Sequence, residues 1–254
     1  MIPKVIHYCW FGRNPLPLLA KKCIASWKKY LPDYEIKEWN EDNFDVNMIP
    51  YTKEAYEAKK YAFVSDYARF WILYQYGGLY FDTDVEVIRP MQKIIEHGAF
   101  MGCEHDATET SLPSVAPGLG LGVESHSALY KDILDLYAGL HFRNPNGTLN
   151  LKTVVQYTTE VLVRHGLAYQ SGLQSVGGIF IYPKEYFCPK SYVTGKIMIT
   201  ENSLCIHHFE GSWVEKKKRR KIKNVILFII LGERFTNVGV KIKRKIKSWI
   251  KSKS

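Results

Sequence analysis

The 254-residue sequence predicts an α/β fold: helices packed around a mixed, mostly parallel sheet, followed by a separate basic tail. Three observations lead there. Short apolar runs of strand character alternate with longer segments of helical periodicity, as in strands joined by crossover helices. No internal repeat or low-complexity linker interrupts the chain before residue 214. The charge is also divided, because Val214–Ser254 carry 15 Lys/Arg against two acids, Glu215 and Glu233, for +13. The other 20 basic and 23 acidic residues leave the domain at −3. The predicted boundaries are therefore 1–213 for the domain and 214–254 for the tail.

Along the chain, residues 4–11 read as a buried first strand that stops at Gly12. Pro15 and Pro17 introduce a helix over 17–30, with Leu18, Leu19, Cys23 and Trp27 at helical spacing. The alternation of 34–39 predicts a second strand. Residues 52–60 and 64–76 are predicted helices, the second stopped by Gly77-Gly78. Strands follow at 79–81 and 85–87, separated by Asp82-Thr83-Asp84. Further helices are expected near 91–97, 127–139 and 150–165, and strands near 99–103, 119–123, 178–182 and 203–209.

Composition narrows the function classes. Hydrophobic residues make up 46% and charged residues 24%, as in soluble globular proteins. The five cysteines are widely spaced and form no CxxC, which indicates neither a disulfide framework nor a zinc site, and points to a reducing compartment. No apolar run reaches the roughly 18 residues of a membrane span. The start of the chain lacks the basic and apolar regions of a signal peptide. A cytoplasmic protein with peripheral membrane contact is the expectation.

The chemistry gathers at Gly77-Gly78-Leu79-Tyr80-Phe81-Asp82-Thr83-Asp84-Val85-Glu86. A hydrophobic strand leads into two carboxylates one residue apart where the chain leaves the sheet, and ligands of open α/β sheets collect at the carboxyl ends of strands. Two acids so close repel unless a cation joins them. Mn²⁺ or Mg²⁺ shared with a diphosphate fits, because both take oxygen ligands readily. A bare D-x-D also occurs in solvated turns, so its context has to decide.

That context resembles a known group. SDYARFWILYQYGGLYFDTDVEV (65–87) is similar to the sugar-binding DXD region of glycosyltransferase family 32, and more distantly to the catalytic domains of large glucosylating bacterial toxins. IPKVIHYCWFG (2–12) resembles the family's opening strand, SWKKYLPDYEIKEWNEDN (26–43) its second helix and strand, and IHHFEGSW (206–213) its closing motif. The resemblance implies a GT-A-like fold, a single nucleotide-binding domain of Rossmann type. It further implies a metal-dependent, retaining glycosyltransferase acting on a nucleotide-sugar, a UDP-sugar by preference although GDP-mannose users occur.

By the same resemblance, Trp10 would stack on the nucleobase, and Asp66 and Arg69, which share a helix face, would contact the donor sugar and diphosphate. Asp82 would bind ribose or donor sugar, directly or through the water around the metal, and Asp84 would ligate the metal. Thr83 should point away from both on an extended backbone. His207 and His208 should point to opposite faces of a strand, so that one of them joins the metal, and the resemblance favours His207. Ser212 and Trp213 would lie on a loop closing over the diphosphate. Glu86 either supports the site or is an exposed strand acid. For a group at the anomeric carbon, Glu104, Asp106, Asn150 and Gln156 are candidates by position, and front-face transfer assisted by the leaving phosphate is the alternative to an enzyme nucleophile.

The tail adds a surface. Ile242, Ile246, Trp249 and Ile250 form an i, i+4, i+7, i+8 stripe among lysines, which predicts a basic helix lying on an anionic membrane. An acceptor of lipid-linked oligosaccharide type, as in capsule or O-antigen assembly, would suit that location. A nucleic-acid-binding protein using the tail is the competing class, opposed by the slightly acidic domain. A sugar-nucleotide-binding protein without transfer activity is the third.

Overall fold

The computed structural model describes residues 1–192 and 194–210; the basic tail, Ser212 and Trp213 lie outside them. Met1–Lys190 and the described residues from Ile197 on form one compact unit, and Ser191–Lys196 belong to a second. Fold and site belong to the first.

The chain opens with β1 (Val5–Cys9), α1 (Leu18–Tyr30) and β2 (Glu35–Trp39), then runs through α2 (Pro50–Glu57) and α3 (Tyr61–Tyr76) into β3 (Gly78–Tyr80) and β4 (Val85–Val87). Next come α4 (Gln92–His97), β5 (Phe100–His105), β6 (Ser114–Val115), β7 (Leu121–Val123), α5 (Ala128–Ala138) and α6 (Val154–Arg164). The remaining elements are β8 (Gln174–Val176), β9 (Ile179–Tyr182), α7 (Lys184–Phe187) and β10 (Cys205–His207). The main sheet has the order β2-β1-β3-β7-β5-β9-β8, with β6 on β5. β2, β1, β3, β5 and β9 run one way, while β6, β7 and β8 oppose them. This is the expected mixed α/β class with a largely parallel sheet.

Two cores cover the two faces. Alternation along β1 sends Ile6 and Tyr8 toward α1, α4 and α7, where Trp27, Phe81 and Phe187 are buried. Cys9 and Tyr80 point to the other face, onto α2, α3, α5 and α6. Trp27 is fully buried, and its indole N–H donates to the Val85 carbonyl at 2.8 Å, which fixes α1 to the strand that follows the two carboxylates. Burial of such a side chain contributes on the order of 2–3 kcal/mol.

The joint between α3 and β3 sets the depth of the site. Gly77 has φ +63° and Gly78 φ +105°, and a Cβ on Gly78 would stand 2.7 Å from the Val5 carbonyl, so a helix turns directly into a strand. Trp39 donates to His7 Nδ1 at 3.0 Å, which leaves Nε2–H to donate to the Gly77 carbonyl at 3.0 Å. Burial holds His7 neutral, lowering its pKa to about 4. From this joint, Arg69 lies roughly 12 Å back along the helix and Asp82 roughly 13 Å forward along the extended chain. The two side chains come level with each other.

Element boundaries differ from expectation mainly at ends. β1 stops at Cys9, and α3 starts at Tyr61 rather than 64. The helix expected from 150 begins at Val154, because Thr153 and Gln156 form a capping box. β6, β8 and α7, of two to four residues, were not predicted, being too short to carry a period.

Candidate active site

The chain does not stay extended through Asp82-Thr83-Asp84. The Val85 N–H donates to the Asp82 carbonyl at 3.0 Å, closing a turn that brings both carboxylates to one side; this corrects the extended backbone expected around Thr83. β10 pairs antiparallel with β4, setting His207 opposite Val85. One ligand atom each from Asp82, Asp84 and His207 then lies within 4.8 Å of the others.

Alternation settles the two histidines. His208, the residue after β10, turns to the other side, where its Nε2 meets Glu86 Oε2 at 2.8 Å; Glu86 also binds Lys22. Neither His208, named with His207 as a metal candidate, nor Glu86 joins the cluster.

Burial would raise the Asp84 pKa, yet it is held at about 2 by the His207 ring at 3.2 Å and by the Glu210 N–H at 2.7 Å. Burial would equally lower His207, and the Asp84 charge outweighs it, lifting the imidazole to about 10. An ionised carboxylate, a second carboxylate and an imidazole are a ligand set suited to Mn²⁺ or Mg²⁺.

A second cluster adjoins the first. Arg69, only 3% exposed, meets Asp66 at 3.0 Å and Asp82 Oδ1 at 3.2 Å, and its guanidinium lies 5.1 Å from the centre of the Tyr80 ring. The Tyr80 hydroxyl donates to the same Asp82 oxygen at 3.1 Å. Burial pushes the Asp66 carboxyl up to about 7 despite Arg69. Arg69 stays charged, the carboxylates more than offsetting its burial. Trp10 is half-buried just past the end of β1, beside the end of β3, with its indole N–H held by the Asn14 carbonyl.

Three groups in the site escaped the sequence reading: Tyr80, the Glu210 N–H and Gly118. The Asp82 N–H donates to the Gly118 carbonyl at 3.1 Å, and a Cβ on Gly118 would overlap Asp82 Oδ2 and stand 3.0 Å from its Cγ. The glycine-spaced run Pro117-Gly118-Leu119-Gly120-Leu121-Gly122 was the available signal. Gly118→Ala is expected to push the Asp82 carboxylate out of the cluster and weaken Mn²⁺ binding about tenfold or more. Its melting temperature should stay close to wild type, because Asp82, 30% exposed, can swing toward solvent. Calorimetric titration with Mn²⁺ checks this.

Three of the four candidates for the anomeric carbon are engaged elsewhere. Asp106 accepts from the Lys184 N–H, Asn150 donates to the Tyr157 hydroxyl, and Gln156 belongs to the capping box.

Residues 17–101 match a family model. The match is to the glycosyltransferase sugar-binding region containing DXD motif. Helix α3, the glycine joint and the Asp82-Thr83-Asp84 turn all lie within this DXD region. Two relatives come from Schizosaccharomyces pombe. Inositol phosphoceramide mannosyltransferase 3 is 31% identical over 107 residues, which is 39% of this chain and 29% of that protein. Inositol phosphoceramide mannosyltransferase 1 is 28% identical over 111 residues, 39% of this chain and 33% of that protein. The chain thus spans about a third of the length of the curated relatives it matches. Among solved structures, a glycosyltransferase involved in the glycosylation of the major capsid of PBCV-1 shares the fold. Its TM-score is 0.50 at 13% identity, covering 88% of this chain and 99% of that one.

Proposed function

We propose that this protein is a metal-dependent glycosyltransferase that moves a hexose or N-acetylhexosamine from a nucleotide-sugar, a UDP-sugar by preference, to a glycan acceptor. One observation carries the reading: Asp82 and Asp84 of the DXD region converge with His207 of β10 beside the buried Arg69, past the ends of β1 and β3. The relatives' names and the shared fold support transfer chemistry.

In this reading Asp84, Asp82 and His207 hold Mn²⁺ or Mg²⁺, which when bound neutralises charge on the departing diphosphate. Arg69 presents a fixed cation to the phosphate oxygens, pre-organised by Asp66, Asp82 and the Tyr80 ring. Asp66 binds donor hydroxyls, and Trp10 offers an indole face to the base. Ser212 and Trp213 close over the diphosphate and exclude water. Transfer proceeds with retention by front-face attack assisted by the leaving phosphate. The tail from residue 214 holds the enzyme peripherally on the inner face of the cell membrane, near a lipid-linked acceptor of capsule or O-antigen type. No described helix is long and apolar enough to cross a membrane.

Thermal melting against UDP-, GDP-, CMP- and dTDP-sugars, each with and without Mn²⁺, tests the reading. One nucleotide class should raise the melting temperature only when metal is present. Ligand at a hundredfold over its Kd supplies about 2.7 kcal/mol, several degrees for a protein this size. Absence of any metal-dependent shift, together with salt-sensitive nucleic-acid binding, would move the function to the tail.

A further inference from the structure

Glu104 stands apart from the other acids near the site. Its carboxylate has no hydrogen-bond or ion-pair partner among the described residues, although it is half-buried. The register between β5 and β6 slips between Cys103 and His105, so Glu104 occupies a β-bulge, a device that re-aims a side chain and recurs beside active sites. On β5, Phe187 of α7 stacks on Phe100 at 5.6 Å and fills the space that a side chain at Gly102 would take. Past the edge of that ring comes Glu104, with Lys184, His105 and His207 as its charged neighbours. His207 is the same imidazole that closes the cluster with Asp82 and Asp84.

Sheet order gives the spacing. β7 alone separates β3 from β5, so the strands carrying Asp82 and Glu104 run roughly 10 Å apart. Both end on the same side of the sheet, since β3 and β5 each run opposite to β7. A diphosphate held at Asp84 and Arg69 would leave its sugar to fill this interval. This half-buried carboxylate accepts no hydrogen bond from the described residues, which leaves it free for a ligand, and sugar hydroxyls are donors that would satisfy it.

We propose that Glu104 forms the far wall of the donor-sugar subsite and accepts hydrogen bonds from hydroxyls of the transferred hexose. The assignment rests on the glycosyltransferase reading above and adds a residue outside the DXD region to it. Glu104 is a binding residue here, with no covalent step assigned to it.

The test is titration calorimetry on the full chain with Mn²⁺, using UDP against UDP-galactose and GDP against GDP-mannose. In Glu104→Gln the affinity for the bare diphosphate should stay within about twofold of wild type. Affinity for the matching nucleotide-sugar should fall tenfold or more, the usual scale for losing a charged hydrogen-bond acceptor. Glu104→Asp, with the charge kept on a shorter arm, should recover part of the loss. Equal affinities of wild type and Glu104→Gln for the nucleotide-sugar, or equal losses for sugar-bearing and bare nucleotide, would overturn the subsite. A wild-type protein that binds neither nucleotide would overturn the donor-site reading itself, and the subsite with it.

Discussion

Asp84→Asn is expected to abolish sugar transfer, by a factor of a thousand or more, while leaving the fold intact. The amide matches the carboxylate in size, so the turn closed by Asp82 and Val85 has no steric reason to open. What disappears is the charge that His207 and the Glu210 N–H converge on. Mn²⁺ then meets one carboxylate instead of two, and the metal-dependent rise in melting temperature should vanish. A linked proton provides a second readout. An imidazole must be neutral to ligate, and His207, at about 10, starts out protonated at neutral pH. Wild-type Mn²⁺ affinity should therefore climb between pH 6 and pH 8, with about one proton released on binding. In Asp84→Asn the imidazole loses the anion that holds its proton, and the pH slope should flatten. Transfer at the wild-type rate with an unchanged metal requirement would remove Asp84 from the site.

Arg69→Met is expected to be the most destabilising single change near the site, lowering folding free energy by about 3–5 kcal/mol. Methionine fills the volume, so the loss is electrostatic: Asp66 and Asp82 remain facing each other without the guanidinium that meets both. The direction with pH follows. A carboxyl whose folded-state pKa stands above its unfolded value stabilises the protein below the unfolded value, and that contribution is lost as pH rises through the folded one. Burial already raises Asp66 to about 7, and removing Arg69 raises it further. The variant should thus be most nearly rescued near pH 5 and weakest near pH 8, by urea denaturation at the two values. Adding Asp66→Asn should recover part of the loss at pH 8 and little at pH 5. A deficit independent of pH would mean that packing, not charge, dominates at this position.

Much of this arrangement was legible in the sequence, for reasons that can be named. Long periodic segments such as α1 and α3 announced themselves, and Gly77-Gly78 marked the joint because few other residues fit there. The pairing of Asp66 with Arg69 followed from helix geometry, and the opposite aim of His207 and His208 from strand alternation. The choice of His207 rested on the family resemblance alone; its geometric basis is the pairing of β10 with β4, a contact across more than a hundred residues that no local pattern encodes. The turn at Asp82-Thr83-Asp84 was misread because a strand lies on each side of it. Gly118 went unnoticed because its significance is the absence of a side chain against a distant carboxylate. Asp106, Asn150 and Gln156 looked equivalent to Glu104 until their partners were visible. Ser212, Trp213 and the tail stay as sequence expectations.

The joint at Gly77-Gly78 also carries a rule about chain length. Positions 69 and 82 are thirteen apart, part helix and part extended chain, and both ends of the count face the same place. One residue inserted into α3 between Arg69 and the joint would rotate the guanidinium by about 100° and carry it out of reach of Asp82. One added between the joint and Asp82 would move the carboxylate to the opposite side of its strand. Insertions and deletions should therefore be tolerated in the exposed stretch around Thr108–Ser111 and rejected between 69 and 82, so a scan of single-residue insertions ought to trace the outline of the site without changing any side chain in it.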